Sequence, residues 1–268
     1  MASHEDCKEP QTATSTGPGM SSSQLGLLQI KKPSMAGHGE CKEPQTATSS
    51  GSDMGSSQPG FPHYHRKFAN PAPLGLSGFA ATTFLLSLFN MQSRGITTPN
   101  LVVGLAMGYG GLVQLLAGMW EFAAGNTFGA TAFSSYGGFW ISFGLIFWPQ
   151  SGILAAYAGA DGAAQLDNAL GLYLFTWFIF TFIMLVAALR SSLALVTLFF
   201  ILDVTFLVLA LGKFYPEKTQ ITFTGGVLGI ITAFIAWYIA AANLLTAETS
   251  FFTLPIYDLS RDRHTRRD

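Results

Sequence analysis

Between residues 68 and 247 the chain carries nine charged side chains, Arg94, Arg190, Lys213 and Lys218 against Glu121, Asp161, Asp167, Asp203 and Glu217. Apolar runs of about 20 residues recur through this stretch, and about 20 residues at 1.5 Å rise cross a hydrocarbon core of roughly 30 Å. A soluble fold would have to bury several all-round hydrophobic helices at once. The stretch therefore reads as an all-α, polytopic membrane domain with the lipid bilayer as its first partner.

Over all 268 residues, charged residues make up 11% and Phe occurs 23 times, against roughly 25% charge in an average soluble domain. The formal net charge of −1 argues against a polyanion-binding surface, so no nucleic-acid partner is expected. Cys7 and Cys41 show no metal-ligand spacing, and nothing in the sequence implies a cofactor or a disulfide framework.

The organisation is three-part: 1–67 as an N-terminal tail, 68–247 as the membrane domain and 248–268 as a short C-terminal tail. Cys7-Lys8-Glu9-Pro10-Gln11-Thr12-Ala13-Thr14-Ser15 recurs as Cys41-Lys42-Glu43-Pro44-Gln45-Thr46-Ala47-Thr48-Ser49, a duplicated segment in a Ser-, Thr-, Gly- and Pro-rich context that predicts disorder. No long apolar run precedes residue 67, so the first hydrophobic helix is expected to direct insertion. Six spans are predicted, at about Leu74–Asn90, Leu101–Phe122, Ala132–Phe147, Ala169–Leu189, Leu193–Leu211 and Thr222–Leu245. The third is short, so it is expected to begin nearer Phe128 or to be distorted around Gly137-Gly138 and Pro149. With six crossings, Arg66, Lys67, Arg190, Arg261, Arg263, Arg266 and Arg267 share one side, against Arg94, Lys213 and Lys218. The positive-inside rule then puts both termini in the cytoplasm. Gly104/Gly108, Gly125/Gly129 and Gly225/Gly229 place small residues one turn apart, a pattern that lets membrane helices approach closely.

In such a domain the chemistry belongs to polar groups inside the spans. All five histidines (His4, His38, His63, His65, His264) lie outside them, which removes a histidine proton relay. No G-x-x-x-x-G-K-[ST] loop is present, which argues against nucleotide-driven pumping. Transport, channel conduction and signalling remain. Asp203 falls near the middle of the fifth span, where a carboxylate costs about 2.5–3.5 kcal/mol on insertion scales and so should face the bundle interior. It reads either as a proton-coupling group or as the partner of a Thr or Tyr on a neighbouring helix. Glu121, beside Trp120 at the end of the second span, reads as interfacial or as a second proton-coupling candidate.

At the first helix, Asn70-Pro71-Ala72-Pro73-Leu74-Gly75-Leu76 joins a favoured N-cap residue to two prolines that fix φ. Beyond a plain helix start, the N-terminus of a helix can hold an anion, which makes Asn70, Pro71, Pro73 and Leu74 candidates for receiving a carboxylate.

This stretch, followed by Gly78-Phe79, resembles the N-P-[AV]-P-L-G-L signature of the acetate uptake transporter family, which includes bacterial succinate–acetate permeases and fungal acetate/ammonia permeases. Further blocks agree: Tyr109–Gly118, Glu121, Gly125-Asn126-Thr127-Phe128-Gly129, Thr131–Trp140 and, as in the fungal members, Ser250-Phe251-Phe252-Thr253-Leu254-Pro255. The resemblance covers about residues 68–256. It implies six helices per protomer, a ring-shaped homo-hexamer, passage of acetate and in some members succinate, and a hydrophobic constriction of Phe79, Tyr136 and Leu202. Gln114, Asn126 and Thr131 are added as hydrogen-bonding candidates from residue type and nearness to the motifs. Bacterial relatives carry a small neutral polar residue where this chain has Asp203. That difference suggests passage tied to acidic pH, since a protonated carboxyl can donate to an anion that an ionised one repels.

The expectation is a multi-pass plasma-membrane protein that moves acetate and related short-chain carboxylates with or down a proton gradient. An ammonium or ammonia exporter and an acetate sensor with a reporting tail are the alternatives. An enzyme is the poorest fit, because no nucleophile, base and orienting group assemble within the spans.

Overall fold

The computed structural model describes residues 68–259; the tail expected over 1–67, its duplicated segment and the basic end after Leu259 lie outside them. The described residues form an all-helical bundle. Helix α1 spans Ala72–Asn90. The second segment, Pro99–Ala124, is a composite of α2 (Val102–Met107), a wide π-helical turn (Gly108–Val113) and α3 (Gln114–Ala124). Helices α4 (Thr127–Phe147), α5 (Gly162–Ala188), α6 (Leu193–Phe214) and α7 (Thr219–Leu244) follow.

Among the described residues, five segments are long and apolar enough to cross a membrane: α1, Pro99–Ala124, α5, α6 and α7. Helix α4 has 21 residues, about 31 Å at the helical rise, but its threonines, serines and glycines dilute its hydropathy. It starts at Thr127 rather than Ala132 and runs through Gly137-Gly138 without a break. Of the two expectations for this span, the earlier start near Phe128 is the one met; the distorted turn of the bundle lies at Gly108–Val113. Helix α5 also begins earlier than its apolar run, because Gly162–Asn168 is helical although polar.

The helices close a circuit. Helix α1 packs on α7, α7 on α6 and α6 on α5, while α3 packs on α4 and the π turn packs on α1. Large side chains join α4 to α5. The Tyr136 hydroxyl and Thr181 Oγ1 are 2.9 Å apart, those of Ser142 and Tyr173 are 2.7 Å apart, and the Phe139 ring lies 5.8 Å from Tyr173 and 5.1 Å from Trp177. Glycine supplies the opposite device where backbones touch: a Cβ on Gly78 would lie 2.8 Å from the Tyr109 carbonyl oxygen, and one on Gly137 would lie 2.8 Å from the Leu115 nitrogen.

The three glycine pairs divide. Gly225 and Gly229 pack against Leu209 and Ser87. Gly104 and Gly108 meet nothing within 4 Å, so they make no close helix contact within the protomer. Gly125, at φ +81°, ends α3, so Gly125 and Gly129 straddle a turn rather than share a helix face.

After α7 the chain returns across the start of α6. The carbonyls of Tyr257 and Ile256 accept from the Leu193 and Ala194 N–H groups at 2.8 and 3.3 Å, and Ser192 Oγ accepts from Leu195 N–H. Donors that a helix start leaves unpaired are thereby satisfied.

Candidate functional site

A cavity of about 220 Å³ opens inside the bundle at the end where α1 and α6 begin and α7 finishes. Ala72, Leu76 and Phe79 come from α1, Leu198, Phe199 and Leu202 from α6, and Ile239 and Asn243 from α7, while Ile256 of the returning segment adds to its wall. Helix spacing explains the sets: positions 72, 76 and 79, or 195, 198, 199 and 202, recur every three to four residues and share one face.

Phe79, Tyr136 and Leu202 come together in the wall of this cavity. They converge from α1, α4 and α6, and all three line it; their exposures are 5%, 2% and 4%. The Phe79 and Tyr136 ring centroids are 5.8 Å apart. Because the Tyr136 hydroxyl is taken up by Thr181, it is the ring that faces the cavity. Two aromatic rings and an isobutyl group facing one space make it apolar, the kind of lining that can bar water and hydrated ions by dewetting.

The polar lining comes mainly from α3 and the turn after it. Gln114 and Glu121 stand seven residues apart, two turns on one face, and both line the cavity. Each keeps one buried side-chain oxygen, Gln114 Oε1 and Glu121 Oε1, without a partner among the described residues. Both atoms are acceptors and cost about 1–3 kcal/mol when left unsatisfied, so they suit a solute that donates a hydrogen bond, such as a protonated acid or an amine. Asn126 uses both ends of its amide: Oδ1 accepts from Gly129 N–H at 3.0 Å, capping α4, and Nδ2 donates to Glu121 Oε2 at 2.8 Å. It holds Glu121 in the wall.

Other sequence candidates sit elsewhere. Asn70 Oδ1 accepts from Ala72 N–H at 3.0 Å, and its Nδ2 donates to Asn243 Oδ1 at 3.2 Å, so Asn70 is bonded to two lining residues without lining the cavity itself. Pro71 and Pro73 have no N–H, and Gly75 N–H is bonded to the Pro71 carbonyl. The first turn of α1 thus leaves the Leu74 amide for an anion, and the Leu74 side chain is exposed. Thr131 is exposed and donates to the Thr127 carbonyl. Asp203 is buried one residue past Leu202, outside the cavity lining, and its Oδ1 has no partner among the described residues. The interhelical hydrogen bond that was one reading of Asp203 is not made. Thr205 and Thr232 make the α6–α7 contact instead, at 3.5 Å. Sequence reasoning missed Asn243, Ile239 and Ile256 because nothing local marks residues that reach the cavity from α7 and beyond.

A second cavity, of about 330 Å³, lies at the other end of the same helices, between the last turns of α1 and α6 and the first turns of α5 and α7. Phe79, Tyr136 and Leu202 belong to the first cavity and Phe143, Leu174 and Leu209 to the second. The two cavities share no lining residue.

Residues 54–261 match the GPR1/FUN34/yaaH family. The chain belongs to that family. Ammonia transport outward protein 2 of Saccharomyces cerevisiae is 56% identical over 197 residues, which make 72% of this chain and 69% of that one. Acetate permease A of Emericella nidulans is 52% identical over 198 residues, 71% of this chain and 66% of its relative, so the chain spans about two thirds of the length of these fungal family members. Among solved structures, the bacterial acetate channel SatP aligns with a TM-score of 0.62 at 37% identity, covering 71% of this chain and 99% of that one.

Proposed function

We propose that this chain carries acetate and related short-chain carboxylates, succinate among them in the widest reading, across the plasma membrane. The observation that supports the reading is that Phe79, Tyr136 and Leu202 meet in the wall of one cavity while a second cavity lies at the other end of the bundle; in this reading the three form the barrier between them. A barrier of that kind suits a small solute with an apolar tail and one polar head, which in its protonated form donates to the open Gln114 or Glu121 oxygen before it meets the rings. The relatives named for acetate support the solute class. Transport, not catalysis, is the activity assigned.

In this reading α4 is the sixth crossing, both termini are cytoplasmic, the tails at 1–67 and 248–268 flank the membrane domain, and six copies form a ring. The exposed apolar faces of α5 and α7, which include Ile179, Phe182, Ile183, Ile231 and Phe234, supply surface for lipid and for neighbouring copies. Asn70, Pro71, Pro73 and Leu74 form the rim of the first chamber, and Thr131 is a peripheral polar contact. Asp203, with Glu121 on the other side of the barrier, ties passage to protons.

A second reading has its own support. The first chamber contains the Glu121 carboxyl and no lysine or arginine, and one 56% identical relative is named for outward ammonia transport. Proteoliposomes of the purified chain decide between them. Labelled acetate should enter faster than into protein-free liposomes, with greater accumulation under an inward proton gradient. Methylammonium flux without acetate flux would replace the carboxylate reading with the ammonia one.

A further inference from the structure

Lys213 and Asp167 meet inside the second chamber. Lys213 Nζ lies 3.2 Å from Asp167 Oδ1, with the two side chains 38% and 30% exposed. Both line the chamber, and Lys213 is the one basic side chain lining either chamber. A lysine in the last turn of α6 has an ordinary use as an interfacial anchor or a partner for the helix dipole. Neither use would place its ammonium beside a carboxylate in a cavity wall.

We propose that Lys213 is the carboxylate-receiving group of a second solute site, and that Asp167 occupies it as an internal counter-ion which a small carboxylate displaces. The inference rests on the carboxylate reading above and extends it to the other end of the path. The resident partner defines the ligand chemistry: the ammonium already donates to a carboxylate oxygen, and acetate presents the same group. Ion pairs at this exposure contribute little to stability, so exchanging one carboxylate for another is nearly balanced, and the site can both take and release its solute. Asn90, Gln92, Thr97 and Thr222 line the same chamber. None uses its side chain in a hydrogen bond with another described residue, which leaves them free to serve the solute's second oxygen. The two ends of the path then differ in kind. One chamber receives the anion by charge, and in the other the unpartnered Gln114 and Glu121 oxygens accept from a solute that has taken up a proton.

The test is the concentration dependence of labelled acetate uptake into proteoliposomes by the full chain and its variants. Lys213→Gln should raise KM roughly three- to tenfold with a smaller change in maximal rate, and Lys213→Arg should restore it. Asp167→Asn should lower KM, because it frees the ammonium. Glu217→Gln, an exposed neighbour outside the chamber, should leave KM unchanged. A pair that merely braces α5 against α6 would shift both neutral variants the same way, and that result, or no shift in either, overturns the proposal. Should Lys213→Gln fail to fold, Asp167→Asn decides alone, a lowered KM in support and an unchanged or raised one against. Wild-type protein that moves no acetate overturns the carboxylate pathway and this site together, an outcome distinct from normal flux with same-sign shifts.

Discussion

Asp203 is a buried carboxyl one residue beyond Leu202, with an oxygen that no described residue serves. Ionised, it opposes an anion in the path; protonated, it is neutral and offers a donor. Acetate flux through the protein should therefore rise as pH falls, after subtraction of passive acetic acid permeation. Asp203→Asn, neutral and able to donate at every pH, should flatten the profile to within about twofold while keeping flux. A variant that kept the wild-type pH profile would remove Asp203 from the coupling. The sequence exposed this residue because charge at mid-span is rare and costly. It gave no such signal for Asn126, whose amide both caps α4 and holds Glu121; from residue type alone it looked like one more solute contact.

The helices themselves were largely legible, since apolar runs of membrane length leave few alternatives. What escaped was decided by backbone packing. The π turn at Gly108–Val113 depends on how the second segment lies against α1, whereas composition raised distortion only as one of two expectations for α4. The glycine pairs show the same limit: the spacing is visible, but which face meets a neighbour is not. The contrast can be measured. Gly78→Ala puts a methyl group 2.8 Å from the Tyr109 carbonyl oxygen and should destabilise the detergent-solubilised protein by about 1–3 kcal/mol, moving Phe79 and reducing acetate flux. Gly104→Ala meets nothing within 4 Å and should leave protomer stability within about 0.5 kcal/mol of wild type. Equal effects at the two positions would contradict the packing described.

At the scale of the whole molecule, the six long helical segments among the described residues hold two cavities, with the buried Asp203 carboxyl beside Leu202 and an ion pair in the wider cavity. That Phe79, Tyr136 and Leu202 share one cavity wall could be anticipated through the resemblance, because Phe79 and Tyr136 sit inside its motifs and Leu202 follows by counting along α6. The chambers could not, because their walls combine residues as far apart as Ala72 and Ile256, which only the closed circuit of helices brings together. If Phe79, Tyr136 and Leu202 are the barrier that the solute crosses, the size of the leucine side chain must set the size of the solute. The most direct measurement is therefore uptake of labelled acetate, propionate and lactate by wild type and Leu202→Ala in proteoliposomes. Removing the isobutyl group should raise lactate flux relative to acetate by roughly tenfold while acetate flux persists. An identical size ranking in the two proteins, with both folded and both moving acetate, would place the path elsewhere in the bundle.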